Sequence, residues 1–175
     1  MSNWTIDPDH SVGAFSLTHL MVVKVHGQLN KVSGVVHLDP ADVLSLSVEL
    51  EIDASCISTG VQKRDDHLRS EEFFNVGKHP VISFKSAKIE RTGFNRCKVS
   101  GALTICGITK ETSIEATVSG PVKSPFGETC IGISGCTVIN REDFGLTWNV
   151  PLENNGLMVG KYVEISVNVE ADLKV

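Results

Sequence analysis

Apolar and polar residues alternate along most of this chain with a period of two, the pattern of strands that bury one face and wet the other. The clearest run lies at the C-terminus, where Val163, Ile165, Val167, Val169, Ala171 and Leu173 alternate with Glu164, Ser166, Asn168, Glu170 and Asp172. A second run sets Leu46, Val48, Leu50 and Ile52 against Ser45, Ser47, Glu49, Glu51 and Asp53. A slip of one residue would expose the whole apolar set, so its facing is nearly forced. Weaker alternations cover 12–19, 32–38, 81–89, 98–106, 112–118 and 130–139, which brings the expected number of strands to about eight.

Turn chemistry separates these runs. Asp7-Pro8, Asp39-Pro40, Ser124-Pro125-Phe126-Gly127 and Asn154-Asn155-Gly156 supply a preset φ or tolerate a positive one. One segment reads as helix, from Thr59 to about Glu72, with Thr59 and Gln62 spaced as a capping box. Within it Arg64, His67 and Glu71 share a stripe, Val61 and Leu68 form another, and Asp65 with Arg69 makes an i, i+4 ion pair. The fold class is therefore all-β with one short helical segment. A two-sheet sandwich and a closed antiparallel barrel both satisfy the pattern, because either protects the long edges an open sheet would leave. Only the barrel offers an interior pocket.

At 175 residues the chain is expected to form one domain, 1–175, with a core of its own. Hydrophobic residues make up 41% and charged residues 21%, values of an ordinary globular protein rather than a disordered or fibrous one. The formal charge of -5 comes from interspersed acids and bases, so no basic stripe is available for phosphate backbones and nucleic acid is not an expected partner. The opening residues show neither a basic start nor an apolar run, and no stretch of about 18 apolar residues occurs. A cytoplasmic protein without stable membrane insertion is the expectation. The five cysteines, Cys56, Cys97, Cys106, Cys130 and Cys136, are odd in number and contain no C-x-x-C pair, which suits free thiols. Cys130 and Cys136 can share a strand face, but at about 3.3 Å per residue they lie too far apart to bridge.

A set of short stretches together resembles the YceI-like family of polyisoprenoid-binding, lipocalin-like proteins. They are Trp4-Thr5-Ile6-Asp7-Pro8-Asp9-His10-Ser11 with Phe15 and His19; Asp53-Ala54-Ser55 with Thr59; Arg64-Asp65-Asp66-His67-Leu68 with Glu72-Phe73-Phe74; Pro80-Val81-Ile82-Ser83-Phe84 with Ser86; Gly101-Ala102-Leu103-Thr104-Ile105 with Gly107 and Thr109-Lys110; and Asn140-Arg141-Glu142-Asp143-Phe144-Gly145 with Trp148. The resemblance implies an extended, eight-stranded antiparallel lipocalin-like barrel capped by the helical segment. It further implies an apolar channel for an isoprenoid or fatty-acyl chain, binding rather than a reaction, and a homodimer. Leu29 and Val32 stand where relatives tend to carry phenylalanines, and Cys106 replaces a frequent arginine before Gly107, so a less aromatic channel is expected here.

The alternations and the resemblance together place Phe15, Leu17, Leu50, Ile52, Phe84, Leu103 and Ile105 on the wall of one continuous apolar cavity. Phe73, Phe74, Phe144 and Trp148 are candidates for lining or ordinary core, and His19 joins them through the resemblance. Arg64 and His67 are candidates to meet a polar or anionic headgroup, since arginine offers a bidentate fork and histidine a donor or acceptor. The alternative is an ion-pair network with Asp65, Asp66 and Glu71. Arg141 and Asp143, two apart on an extended segment, read as a structural pair. His10, after Asp-Pro-Asp, reads as a local hydrogen-bond partner or as a polar contact at a pocket mouth. The six histidines show neither H-x-H nor H-x-x-x-H spacing, so no metal or other cofactor is expected. No G-x-S-x-G elbow or catalytic cysteine signature occurs. A carrier that sequesters a long apolar lipid leads. An enzyme acting on an isoprenoid lipid, and an interaction or stress module whose barrel is filled by its own side chains, are the alternatives.

Overall fold

The computed structural model describes residues 2–153 and 155–174. Its strands are β1 (Ser2–His19), β2 (Val23–Leu29), β3 (Val32–Asp39), β4 (Asp42–Asp53), β5 (Val81–Arg91), β6 (Arg96–Ile105), β7 (Ile108–Lys123), β8 (Thr129–Asn140) and β9 (Tyr162–Leu173), with one helix, α1 (Gln62–Arg69), between β4 and β5. Neighbouring strands pair antiparallel, and β9 returns to pair with β1. The ring has eight positions although there are nine strands. β2 pairs with residues 13–19 of β1 and β3 with residues 2–5, so the two follow each other along one position in the wall. The β9–β1 pairing closes the ring and removes most of the sheet edge, while β2 pairs with β1 alone and its other edge is bridged at Gln28 to Ser58.

The first strand explains why the sequence pattern shows only its second half. Trp4 and Ile6 face inward, and so do Gly13, Phe15 and Leu17, a change from even to odd positions. Between the two phases lies a bulge, in which β1 advances five positions, from Asp7 to Val12, while β9 advances two, from Glu170 to Asn168. The extra residues reset which face each side chain takes. Ser11 closes the bulge: its hydroxyl accepts from the Glu170 backbone N–H at 3.1 Å and lies 3.4 Å from the Glu170 carbonyl. Asp7-Pro8 thus belongs to a bulge and not to a turn between strands, a place that tolerates proline's missing N–H. The Asp39-Pro40 and Ser124–Gly127 turns lie between strands as expected, while Asn154, in the Asn154-Asn155-Gly156 signal, is outside the described residues.

The barrel has a packed half and an open half. Around the β3–β4, β5–β6 and β7–β8 turns, Trp4, Val36, Leu38, Cys97, Ile131 and Ala171 are almost wholly buried, and the Trp4 indole N–H donates to the Leu38 carbonyl at 3.2 Å. In the other half the inward residues are mostly aliphatic and too short to meet across the ring. Of the large rings there, Phe15 and Phe84 come from the strands, and Phe73, Phe74 and Trp148 from the segments that cap this end. An unfilled interior results, and Phe15, Leu17, Ile165 and Val167 remain only half-buried although they point inward.

Candidate functional site

The open half holds a cavity of about 510 Å³. Its walls include Phe15 and Leu17 of β1, Leu50 and Ile52 of β4, Phe84 of β5 and Leu103 and Ile105 of β6, which are the seven inward residues expected from the alternation. The pairing explains their convergence: Leu50 lies opposite Phe84, and Phe84 opposite Leu103, so one level of three adjacent strands faces the same space. Gly27 lies opposite Phe15 on β2. A Cβ there would come within 2.3 Å of the Phe15 ring, so glycine allows the ring to lie against the wall. Leu29 also reaches the cavity, whereas Val32 packs in the core.

The rim is made by α1 and its flanks. Asp65 is buried and accepts the Thr59 backbone N–H at 2.8 Å and the Thr59 hydroxyl. Arg64 donates to the Thr59 Oγ1 at 2.7 Å and to the Thr59 carbonyl at 3.0 Å. These bonds replace the expected capping box, because Gln62 turns instead to Asp66 at 2.8 Å. The helix is correspondingly shorter than expected, with Val61 as its N-cap. Arg69 pairs with Asp66 at 3.2 Å rather than with Asp65, whose oxygen is already committed to Thr59. His67 meets Glu72 at 2.6 Å, not Glu71, and sits edge-on to Phe73 and Trp148 at 4.9 and 4.7 Å. Arg64, His67, His19, Phe73, Phe74 and Trp148 all line the cavity.

The segment 141–161 closes the remaining side, and Arg141 anchors it. Its guanidinium is buried and donates to the carbonyls of Gly160, at 2.9 Å, Leu146 and Val159. Asn149 adds a bond from its side-chain amide to the Val159 carbonyl at 2.7 Å and accepts the Val159 N–H at 3.0 Å. The expected Arg141–Asp143 pair does not form. Residues 141–144 make a turn of 3-10 helix, which aims the two side chains apart, and Asp143 is exposed. Phe144 is the one expected lining residue that lies elsewhere. It is almost fully buried beneath the turn and packs in the core instead of the cavity. Arg141, Met158 and Val159 line the cavity without having been singled out for it. No period-two signal marks this irregular segment, and Arg141, between Asn140 and Glu142-Asp143, gives no local sign of burial.

The electrostatics of the lining are one-sided. Its titratable residues are His19, Lys63, Arg64, His67 and Arg141, and no Asp or Glu lines it among the described residues. Burial holds the Arg141 guanidinium below its usual pKa, an effect that the nearby Glu142 charge partly opposes.

A YceI-like domain model matches residues 4–171. The chain belongs to the YceI-like family. UPF0312 proteins of Staphylococcus aureus strains N315 and USA300 are 35% and 36% identical to it over 171 residues, covering 97% of each chain. The YCEI protein of Campylobacter jejuni superposes with a TM-score of 0.75 at 29% identity, over 90% of each chain. The fold is also shared, at 14% identity and a TM-score of 0.74, by a polyisoprenoid binding domain from Saccharophagus degradans, over 99% of this chain and all of that one.

In this YceI-like barrel His10 stands away from the cavity. It is exposed on the outer face and its Nδ1 lies 2.7 Å from Asp7 Oδ2. That contact raises the imidazole pKa and lowers the carboxyl's. The five cysteines are unpaired. Cys106, at the turn before Gly107, rests its sulfur 3.6 Å from the Phe74 carbonyl. Cys136 is exposed, Cys97 is fully buried, and the Cys130 thiol is pushed up to about 12 by Asp172 and Glu170 beside it. Alkylation of the native protein at mildly alkaline pH, followed by peptide mapping, is expected to modify Cys136 well before Cys130 and Cys97. Denaturant should release all five thiols. Fast labelling of Cys130 would contradict the acidic surroundings described.

Proposed function

We propose that this protein binds and carries a long apolar lipid, of the isoprenoid or fatty-acyl class, with its chain in the cavity and an anionic or hydrogen-bond-accepting head at the rim. The carrying observation is the union of an apolar interior with titratable lining groups that are all cationic or imidazole, in a chain whose net charge is -5. Such a lining favours a ligand with an apolar body and an acceptor head. The kinship of the fold with a polyisoprenoid binding domain supports the same class.

Magnitudes fit this reading. If a chain carbon occupies about the 30 Å³ that water does in its liquid, the cavity holds on the order of fifteen carbons, or about three isoprene units. At about 0.8 kcal/mol per buried CH₂ that is roughly 12 kcal/mol before the costs of association and ordering. Burial can therefore dominate affinity, and a few rim contacts select the head. Binding is favoured over catalysis because the His67 ring is held by Glu72, Phe73 and Trp148, and no hydroxyl or thiol is hydrogen-bonded to its imidazole among the described residues.

Mass spectrometry of the lipids that co-purify with the protein tests the reading directly. A single apolar lipid class in near-stoichiometric amount is expected, and lipid-free protein that also refuses added isoprenoid and acyl chains would overturn it. The double variant Arg64→Ala with His67→Ala should change which heads are retained more than how much lipid is retained. Loss of a hydrogen bond at a wet rim costs only about 1 to 3 kcal/mol, since water replaces part of it.

A further inference from the structure

The hairpin between β1 and β2 ends in four consecutive apolar residues that the protein leaves in water. Leu20 is 40% exposed, Met21 63%, Val22 81% and Val23 58%. An exposed apolar run of this length lowers solubility and has no structural purpose of its own. It is also held in a costly form, because Leu20 and Met21 both take positive φ, 52° and 62°, a region that residues without a short polar side chain seldom enter. The tip is nevertheless firmly fixed. The Leu20 N–H donates to the Met158 carbonyl at 2.8 Å, the Val22 N–H to the His19 carbonyl at 3.1 Å, and the Gly160 N–H to the Thr18 carbonyl at 2.8 Å.

Position gives the tip its meaning. His19 and Met158, which flank it, are both cavity-lining residues, as are the exposed Val61 and Lys63 at the start of α1. The apolar surface therefore runs from the tip over the rim into the interior. Cations lie beside it: Lys24 follows the tip and pairs with Glu164 at 2.6 Å, while Lys63 has no ion pair among the described residues. An apolar tip flanked by lysines next to an apolar cavity matches the boundary between headgroups and acyl chains in a bilayer.

We propose that the Leu20–Val23 tip docks this end of the barrel on an anionic lipid bilayer, so that the apolar ligand passes between membrane and cavity without crossing water. The proposal rests on the lipid-carrier reading and assigns to it a loading surface. The other end of the barrel supplies an internal control, since Phe94 and Phe126, 97% and 89% exposed, sit on the β5–β6 and β7–β8 turns far from the cavity.

The test is co-sedimentation of the full chain with phosphatidylcholine vesicles containing phosphatidylglycerol, together with equilibrium binding of a fluorescent acyl chain below its micelle concentration. The variant is Met21→Asp with Val22→Asp; aspartate tolerates the left-handed conformation at position 21, so the hairpin is retained. Wild type should sediment. The double variant should lose at least about tenfold in partitioning, because two inserted side chains become charges, and should take up probe from vesicles correspondingly slowly. Its equilibrium binding of the dissolved probe should be unchanged, and Phe126→Asp should behave as wild type in both assays. Three results would overturn the proposal: wild type that stays in the supernatant, a double variant that sediments normally, or a double variant that splits a dimer in size-exclusion chromatography, which would make the tip an interface between copies. If no form binds the dissolved probe, the carrier reading itself is what fails.

Discussion

Leu50→Trp and Ile105→Glu are expected to abolish lipid retention while leaving a folded barrel. Both residues are buried in the wall at less than a tenth of their exposure and point into the cavity. The indole would take up space that the ligand needs, since Phe84 and Leu103 already face the cavity at the same level on the next two strands. The glutamate acts differently. It places a carboxylate in an apolar interior, where it must shed its hydration at a cost of several kcal/mol or remain protonated, and a chain lying against it loses its apolar contacts. Lipid extracted from equal amounts of protein, with circular dichroism confirming the strands, measures the effect. If both variants keep their lipid while the Arg64→Ala, His67→Ala pair loses it, rim recognition and not burial governs binding.

Arg141→Met should lower stability by about 2 to 4 kcal/mol, which for a chain of this size moves Tm down by roughly 5 to 15 °C. Methionine matches much of the volume and removes the charge, but it takes the Arg141 donor from the Gly160 and Leu146 carbonyls and leaves Val159 to Asn149 alone. Buried acceptors that lose a partner carry the full desolvation penalty. Because those carbonyls tie 141–161 over the cavity, the variant should also release bound lipid faster. Thermal unfolding and a lipid off-rate in the same variant check both consequences. A Tm within a degree or two of wild type would mean that Asn149 alone secures the segment.

The regular wall was legible because alternation reports burial directly. Leu50, Ile52, Phe84, Leu103 and Ile105 could be placed on one face before any neighbour was known, since a strand side chain has only two directions to take. The family was legible in short stretches spread along almost the whole chain, from Trp4 to Trp148. What failed were statements about which polar atoms meet. Thr59 and Gln62 have capping-box spacing, and Asp65 and Arg69 have ion-pair spacing, yet the burial of Asp65 against Thr59 reassigns all four. Phe144 and Trp148 both stand as candidates for lining or core from the sequence, and the 3-10 turn places Phe144 in the core while Trp148 lines the cavity.

The sequence by itself determined most of the strands with their wet and dry faces, though not β2 or the first half of β1, and the absence of any long apolar span, because these depend on local periodicity alone. Tertiary structure decided the rest. The register shift at Asp7–Val12 inverts the facing of half a strand, and only the closure of β9 on β1 makes that shift necessary. The open interior depends on side chains that fail to meet across a ring, a distance set by strand number and tilt rather than by any single residue. The one-sided charge of the lining arises because three distant parts of the chain, His19, the Lys63–His67 turn of α1 and Arg141, are gathered at one end by antiparallel connections; only the Arg64–His67 part of that grouping is encoded by local spacing.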